Sequence, residues 1–361
     1  MHAYLKFVRN NAILLFLAAM VPAIHLLSLN NEWVEAYYSA AIYPYIGGFL
    51  RTAFGWIPFS IGDLLYLLLI AIAAWIAIQG IRSIKKDGWT APIQWRYLKA
   101  ILILITSTYL VFNLLWGLNY NRLGIAHQLD LVRNDMDTSQ LRLLTARLLD
   151  RTNGFSSHAG LLRDIPPERI FKGAVDCYIR AEAAFPFLRY QHPSVKRSLF
   201  GVIGNYLGYS GYYNPFTAEA HINDAVPNVL HPFVACHEIA HQIGYAREDE
   251  ANFVGFLVAR MSADTAFLYS AYFDMFLYAN AALYRTDSAA ANMNMKSLHP
   301  EVQRDIFKLR EFRLRYQSPI EKIIDAAYDR YLRMNQQPEG TLTYSRVVRW
   351  LMAYLQKNGD I

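Results

Sequence analysis

Three long apolar stretches without a single Asp, Glu, Lys or Arg dominate the first third of the chain. They are AILLFLAAMVPAIHLLSL within about 11–30, LLYLLLIAIAAWIAIQGI within about 62–81, and AILILITSTYLVFNLLWGLN over about 100–119. A bilayer core of about 30 Å needs about 20 helical residues at 1.5 Å each. A buried helix of a soluble domain seldom runs so far without a polar face. The pattern therefore predicts three transmembrane helices and a lipid bilayer as partner. Lys6 and Arg9 precede the first stretch, as they would in a signal peptide. No small-x-small cleavage pattern closes it, however, and the expectation is a retained anchor.

Charge in the loops orients the spans. Lys6 and Arg9 lie before the first, and Arg82, Lys85, Lys86, Arg96 and Lys99 lie between the second and third. The loop between the first two holds only Arg51, beside Glu32 and Glu35. The positive-inside rule then puts the N-terminus and the 82–99 loop in the cytoplasm and everything after about residue 119 on the far side. Trp33, Trp56, Trp89, Trp95 and Trp116 fall near span ends, as interfacial aromatics do. Residues 34–58, with Tyr37, Tyr38, Tyr43 and Tyr45, read as an interfacial loop or short helix lying on lipid, or else as the lining of a substrate entrance.

Beyond the spans the composition changes. Twelve charged residues occupy positions 1–118 and 52 occupy 119–361, so the second part has the charge density of an aqueous domain. The division expected is a membrane domain over 1–118 and a globular domain over 119–361. The net charge of +6 comes with no groove-reading motif, which argues against a nucleic-acid partner. Cys177 and Cys236 allow at most one disulfide; two buried free thiols are the expectation.

The second part reads as mainly helical. Asp137 or Thr138 caps a helix through LRLLTARLLDR, and Pro166-Pro167-Glu168 opens another that Pro186 stops. Residues 197–223, rich in Gly, Tyr and Asn, read as loops with one or two strands. The apolar run 263–284 contains Asp264 and Asp274 and reads as core rather than as a fourth span.

The chemistry concentrates at His237-Glu238-Ile239-Ala240-His241. On a helix, residues four apart stack on one face, so the two imidazoles can hold one zinc ion. Glu238 can then take a proton from a metal-activated water and pass it to a leaving amine. A chain with 10 His and 12 Glu would produce this pattern by chance only about 0.01 times. A catalytic zinc wants a third protein ligand, and Glu248 and Glu250 are the carboxylates nearby. On a straight helix Glu248 would lie about 10 Å beyond His241. The chain must therefore turn, and Gly244 is placed to end the first helix in a left-handed cap.

Glu248-Asp249-Glu250-Ala251-Asn252 resembles the ExEAD or ExEAN element of gluzincin metallopeptidases, including the membrane-bound CAAX prenyl proteases. The resemblance implies that Glu248 is the third zinc ligand, with Glu250 as the alternative. It also implies that Asn252 supports a zinc-binding histidine. Those families usually have Asp there; the Asn oxygen still accepts a hydrogen bond from an imidazole. Gluzincins also place an edge strand before the zinc helix that pairs with an extended peptide, and 212–223 is where it would fall; an ordinary strand is the alternative. The whole layout is similar to an uncharacterised bacterial family with three N-terminal spans and a C-terminal HExxH domain.

The expected architecture is thus mainly α: a bundle of three transmembrane helices followed by an α-rich zincin-like domain with a small β element. The expected function is that of a zinc metallopeptidase in the bacterial inner (cell) membrane, its catalytic domain periplasmic or otherwise extracytoplasmic, acting on peptide or protein substrates. Glu238 is its base, and His237, His241 and Glu248 hold Zn2+. An oxyanion donor is expected among Tyr269, Tyr272, Tyr278, His299 and Tyr344. His221 and His231 read as structural, and Arg304, Lys308, Arg310, Arg313 and Arg315 as a solvated face. The reading from another class is a non-catalytic zinc-binding membrane sensor or scaffold. A transporter is disfavoured, because His25 is the one ionisable group deep in the spans.

Overall fold

The computed structural model describes residues 2–132, 137–157, 160, 162, 165–319, 326, 329–330 and 346–361. The protein is mainly α-helical, with three long apolar helices near the N-terminus and one small sheet. It is a membrane protein by this criterion: α1 (His2–Ser28), α3 (Ile61–Asp87) and α4 (Ala91–Leu115) each contain a stretch long and apolar enough to cross a bilayer. Their side chains are mostly exposed, as expected of lipid-facing helices. Lys99 Nζ donates to the Asn10 carbonyl at 3.0 Å, which sets the start of α1 beside the start of α4.

The ends of the spans differ from the sequence expectation. The second helix continues past residue 81 to Asp87, where Gly88 at φ +77° breaks it. The third stops at Leu115, short of 119, and residues Gly117–Asn121 tighten into a buried 3-10 turn.

Between α1 and α3, a π-helix (Val34–Ile42) runs into α2 (Tyr43–Phe54). This segment is helical and two-faced. Tyr37, Tyr45, Phe49 and Trp56 are exposed, while Glu35, Tyr38, Ser39, Tyr43 and Arg51 are buried. The buried side is bonded to protein: Tyr38 Oη donates to Leu114 O at 3.0 Å, and Ser39 Oγ to Asn119 Oδ1 at 2.8 Å. The junction near residue 118 is therefore a packed seam in which Tyr38, Tyr43, Trp116, Leu118 and Tyr213 share one apolar cluster.

The second part is a helical body around one core. Its helices α5 (Thr138–Gly154) and α6 (Pro167–Ala184) begin where Asp137 and Pro166 placed them; Asp137 accepts from Ser139 N as the cap. The 197–223 segment contains a helix that its glycine content hid, α7 (Gly201–Leu207), which Gly208 ends in the left-handed region. Around it lie β1 (Val195–Arg197), β2 (Gly211–Asn214) and β3 (Glu219–Ile222), in spatial order β1-β3-β2. Parallel β1 and antiparallel β2 flank β3, with Tyr212 opposite His221. All four β3 residues are buried.

The centre of the body is α8 (His231–Gln242), packed on α9 (Glu248–Ala259) and on α10 (Thr265–Thr286). Phe253, Phe256, Tyr269, Phe273 and Phe276 fill the space between these helices. α10 is thus core, and Asp264 caps it. Cys177 and Cys236 are both buried and free.

Candidate metal centre

His237 and His241 project from α8 with ring centroids 4.7 Å apart and planes at 90°. Three features of the C-terminal end of that helix shape the site. The Gly244 amide donates to His241 O at 3.0 Å and the Tyr245 amide to Ala240 O at 3.1 Å, the paired bonds of a Schellman cap. Gly244 itself sits at φ +95°, a conformation that a side chain would strain. The chain then reverses and α9 begins at Glu248.

The reversal returns Glu248 to the imidazoles. Its Oε2 lies 3.4 Å from His237 Nε2 and its Oε1 3.8 Å from His241 Nε2. Ligand atoms sharing a tetrahedral zinc at about 2.0–2.2 Å stand roughly 3.3–3.6 Å apart, so the residues present fit such an ion. The tautomer fits too. His241 Nδ1 is 2.7 Å from the Tyr245 carbonyl, which can only accept, so Nδ1 carries the hydrogen and Nε2 keeps its lone pair for a metal. Glu250 lies elsewhere: it is buried, pairs with Arg247 and packs against Gly124. Asn252 is buried beside His237, although neither His237 Nδ1 nor Asn252 Nδ2 completes a hydrogen bond of standard geometry.

Glu238 also has an oxygen within 4.8 Å of both imidazoles. Its surroundings suit a proton carrier better than a ligand. Oε2 is buried with no hydrogen-bond partner among the described residues, and burial pushes the carboxyl up to about 8, partly offset by the charge of His237. A carboxyl poised near neutrality can both take and return a proton; a metal bound beside it would draw the value down. The wall facing Glu238 is the edge strand β2. A Cβ on Gly211 would stand 2.7 Å from Glu238 Oε1 and 2.8 Å from Val234 Cγ1, so a glycine lets strand and helix approach.

For His237, burial disfavours the charged ring, but Glu248, the charge of Glu238 and the Asn252 amide outweigh it and raise the pKa. For His241, burial dominates and the pKa falls to about 4. A neutral His241 is the metal-competent form.

Of the possible oxyanion donors, Tyr269 Oη is committed to Asp305 at 3.0 Å and Tyr272 Oη to the Ile361 carbonyl at 3.1 Å. His299 caps the helix α11 (Pro300–Tyr316), and Tyr344 lies outside the described residues. Tyr278 lies within the electrostatic reach of Glu248: burial raises its pKa first, then the charges of Asp274 and Glu248. Asp274, which the sequence did not mark as a site residue, is held up to about 7 by burial against the opposing charges of Arg313 and His237.

His221 and His231 stay apart from the imidazole pair. His221 stacks on Tyr212 at 4.5 Å and bonds Ser60 Oγ at 2.7 Å, tying β3 to the start of α3, while His231 is buried in the first turn of α8.

The most extensive feature that the sequence did not disclose is the set of donors gathered on the last carbonyls of α8 and of the turn that follows it. Trp116 Nε1 reaches His241 O at 3.0 Å, Tyr43 Oη reaches Gln242 O at 2.8 Å, Arg51 Nη1 reaches Gln242 O at 3.0 Å, and Arg122 Nη1 reaches Gly244 O at 3.2 Å. All four come from the membrane-proximal segments, and two are cations at the negative end of the helix dipole. Trp116 and Tyr43 carried a sequence signal, as aromatics near the span ends; a buried arginine far away in sequence carries none for this contact.

No curated protein and no solved structure matches the chain. A family model matches residues 38–352, taking in the membrane-proximal platform, the second and third spans and the histidine centre together, and the chain thus belongs to the family described as "Protein of unknown function (DUF3810)".

Proposed function

We propose that this protein is a membrane-anchored zinc metallopeptidase. The observation that carries the reading is the convergence of His237 Nε2, His241 Nε2 and the Glu248 carboxylate on one point beside an unpartnered, buried Glu238 oxygen. His237, His241 and Glu248 would hold the ion, which when bound supplies Lewis acidity to a peptide carbonyl and to water. Glu238 accepts the proton of the attacking water and delivers it to the departing amine. The outer edge of β2, at its half-exposed Gly211–Tyr212 end, would align an extended substrate beside Glu238 by strand addition. Tyr278 is the donor that would steady the developing oxyanion. Loop charge supports a cytoplasmic N-terminus and an extracytoplasmic catalytic body, and the resemblance noted above supports a bacterial inner membrane.

The test begins with the metal content of detergent-purified protein beside His241→Ala, Glu248→Ala and Glu238→Gln. The expected result is about one zinc per wild-type chain, lost in the first two variants and kept in the third. Glu238→Gln should then abolish peptide hydrolysis. A wild type that takes up no zinc on reloading would overturn the reading. Zinc retained with an unchanged phenotype in Glu238→Gln would favour the sensor or scaffold instead.

A further inference from the structure

A cavity of about 540 Å3 opens beside α2 on the flank of the C-terminal end of α8. None of His237, Glu238, His241 or Glu248 lines it. Its walls carry Arg51, Arg122, Arg189 and His192 but not one Asp or Glu. Arg122 is paired with Glu35, and Arg189 lies 3.6 Å from Glu182, neither of which reaches the cavity. Arg51 is different. It is buried, its Nε and Nη1 donate to the Gln191 and Gln242 carbonyls, and it forms no ion pair with a carboxylate among the described residues. The end of the α8 dipole offsets part of that charge, but Nη2 has no acceptor among the described residues. One face of the guanidinium lies over the Tyr190 ring, 5.4 Å from its centroid, and the Nη2 edge is left to take an anion, above all a phosphate.

The location identifies the source of the phosphate. Residues 31–60 join the end of one apolar helix to the start of the next, so α2 is held at both ends to the membrane-facing side of the body. The rim of the cavity is aromatic and exposed, with Tyr45 and Phe49, the residues that settle at headgroup depth. We propose that this cavity binds the phosphate headgroup of an anionic phospholipid, with Arg51 at its floor and Arg189 and His192 at its mouth. The site is independent of the zinc reading.

The experiment is native mass spectrometry of the full-length, detergent-solubilised protein titrated with phosphatidylglycerol, with phosphatidylcholine, and with inorganic phosphate in a competing arm. One phosphatidylglycerol per chain should persist with a roughly tenfold preference over phosphatidylcholine, the scale of one or two basic groups meeting an anionic headgroup. Gly48→Leu should remove that preference without altering the melting temperature. A Cβ there meets only His192 Cδ2 at 4.0 Å, so the side chain fills the cavity and leaves Arg51 in place. Arg189→Gln, on a solvent-facing side chain, should weaken it. Equal retention of the two lipids, or a preference that survives Gly48→Leu, would overturn the proposal. Displacement of the lipid by an equal concentration of inorganic phosphate would overturn it too, in favour of a free phosphate-bearing ligand.

Discussion

Trp116 and His241 are joined twice: the indole Nε1 donates to the His241 carbonyl at 3.0 Å, and the two rings meet edge to face with centroids 6.0 Å apart. Trp116 directly follows the last residue of the third apolar helix, and His241 is one of the two imidazoles of the centre. The centre is consequently anchored to the membrane boundary rather than tethered to it. Replacing Trp116 with Phe keeps a ring but removes the donor. The expected loss is about 1 kcal/mol of stability, seen as a lower thermal midpoint, and a weaker zinc affinity in a chelator competition. An affinity unchanged from wild type would show that this bond does not position His241.

Gly244→Ala tests the reversal that brings Glu248 home. At φ +95° an alanine costs about 1–2 kcal/mol, and its Cβ would stand 3.0 Å from Tyr43 Cε1 and 3.2 Å from Asn119 Oδ1. Both strains shift the start of α9. Zinc affinity is expected to fall together with the melting temperature in equilibrium dialysis and thermal unfolding.

Glu248 and Glu250 should separate cleanly. Glu248→Gln is expected to release the metal with little change in the fold of the metal-free protein. Glu250→Gln breaks the buried pair with Arg247 and is expected to lower the melting temperature while leaving one zinc per chain. Metal analysis alongside differential scanning fluorimetry reads both; zinc lost from Glu250→Gln and kept by Glu248→Gln would reverse the assignment.

Gly211→Ala places a methyl group against Glu238 Oε1 and Val234. Because the imidazoles are not touched, zinc content should be unchanged while peptide hydrolysis falls by about tenfold or more, in kcat rather than in metal affinity. Steady-state kinetics on a zinc-loaded variant checks the split.

The Glu35–Arg122 pair predicts a pH dependence. Burial opposes the Glu35 charge, but the Arg122 hydrogen bond and charge, with the Gly124 and Leu123 amides, hold its pKa below the ordinary carboxylate value. A depressed carboxyl contributes stability that is present above its unfolded pKa of about 4.3 and is lost as pH falls through the lower folded value. Glu35→Gln should therefore be less stable than wild type at pH 7, by up to about 3 kcal/mol, the low end for a broken buried pair. The gap in melting temperature should close below about pH 4. A gap that persists at low pH would assign the effect to packing instead.

The mainly α architecture, the three apolar helices and the turn at Gly244 were all legible from local pattern. Length and apolarity decide a span, and spacing of four puts His237 and His241 on one face. A glycine just past the last helical residue marks a reversal. The helix Gly201–Leu207 was not legible, because its glycines read as loop, whereas in the fold Gly201 and Gly204 pack closely against Asn223 and Tyr209. Which carboxylate meets the imidazoles was likewise open in the sequence. Glu248 and Glu250 are two residues apart, and the angle at which α9 leaves the cap decides between them.

What the sequence by itself determined is whatever depends on neighbours along the chain: the spans, the caps, and the pairing of two histidines with a glutamate between them. Only the tertiary structure decided that Trp116, Tyr43, Arg51 and Arg122 converge on the carbonyls at and just past the end of α8 and that a cavity lined by arginines without acids lies beside them. Those contacts join residues more than 100 positions apart. Their partners are backbone oxygens that every residue possesses, so no spacing or residue type announces them.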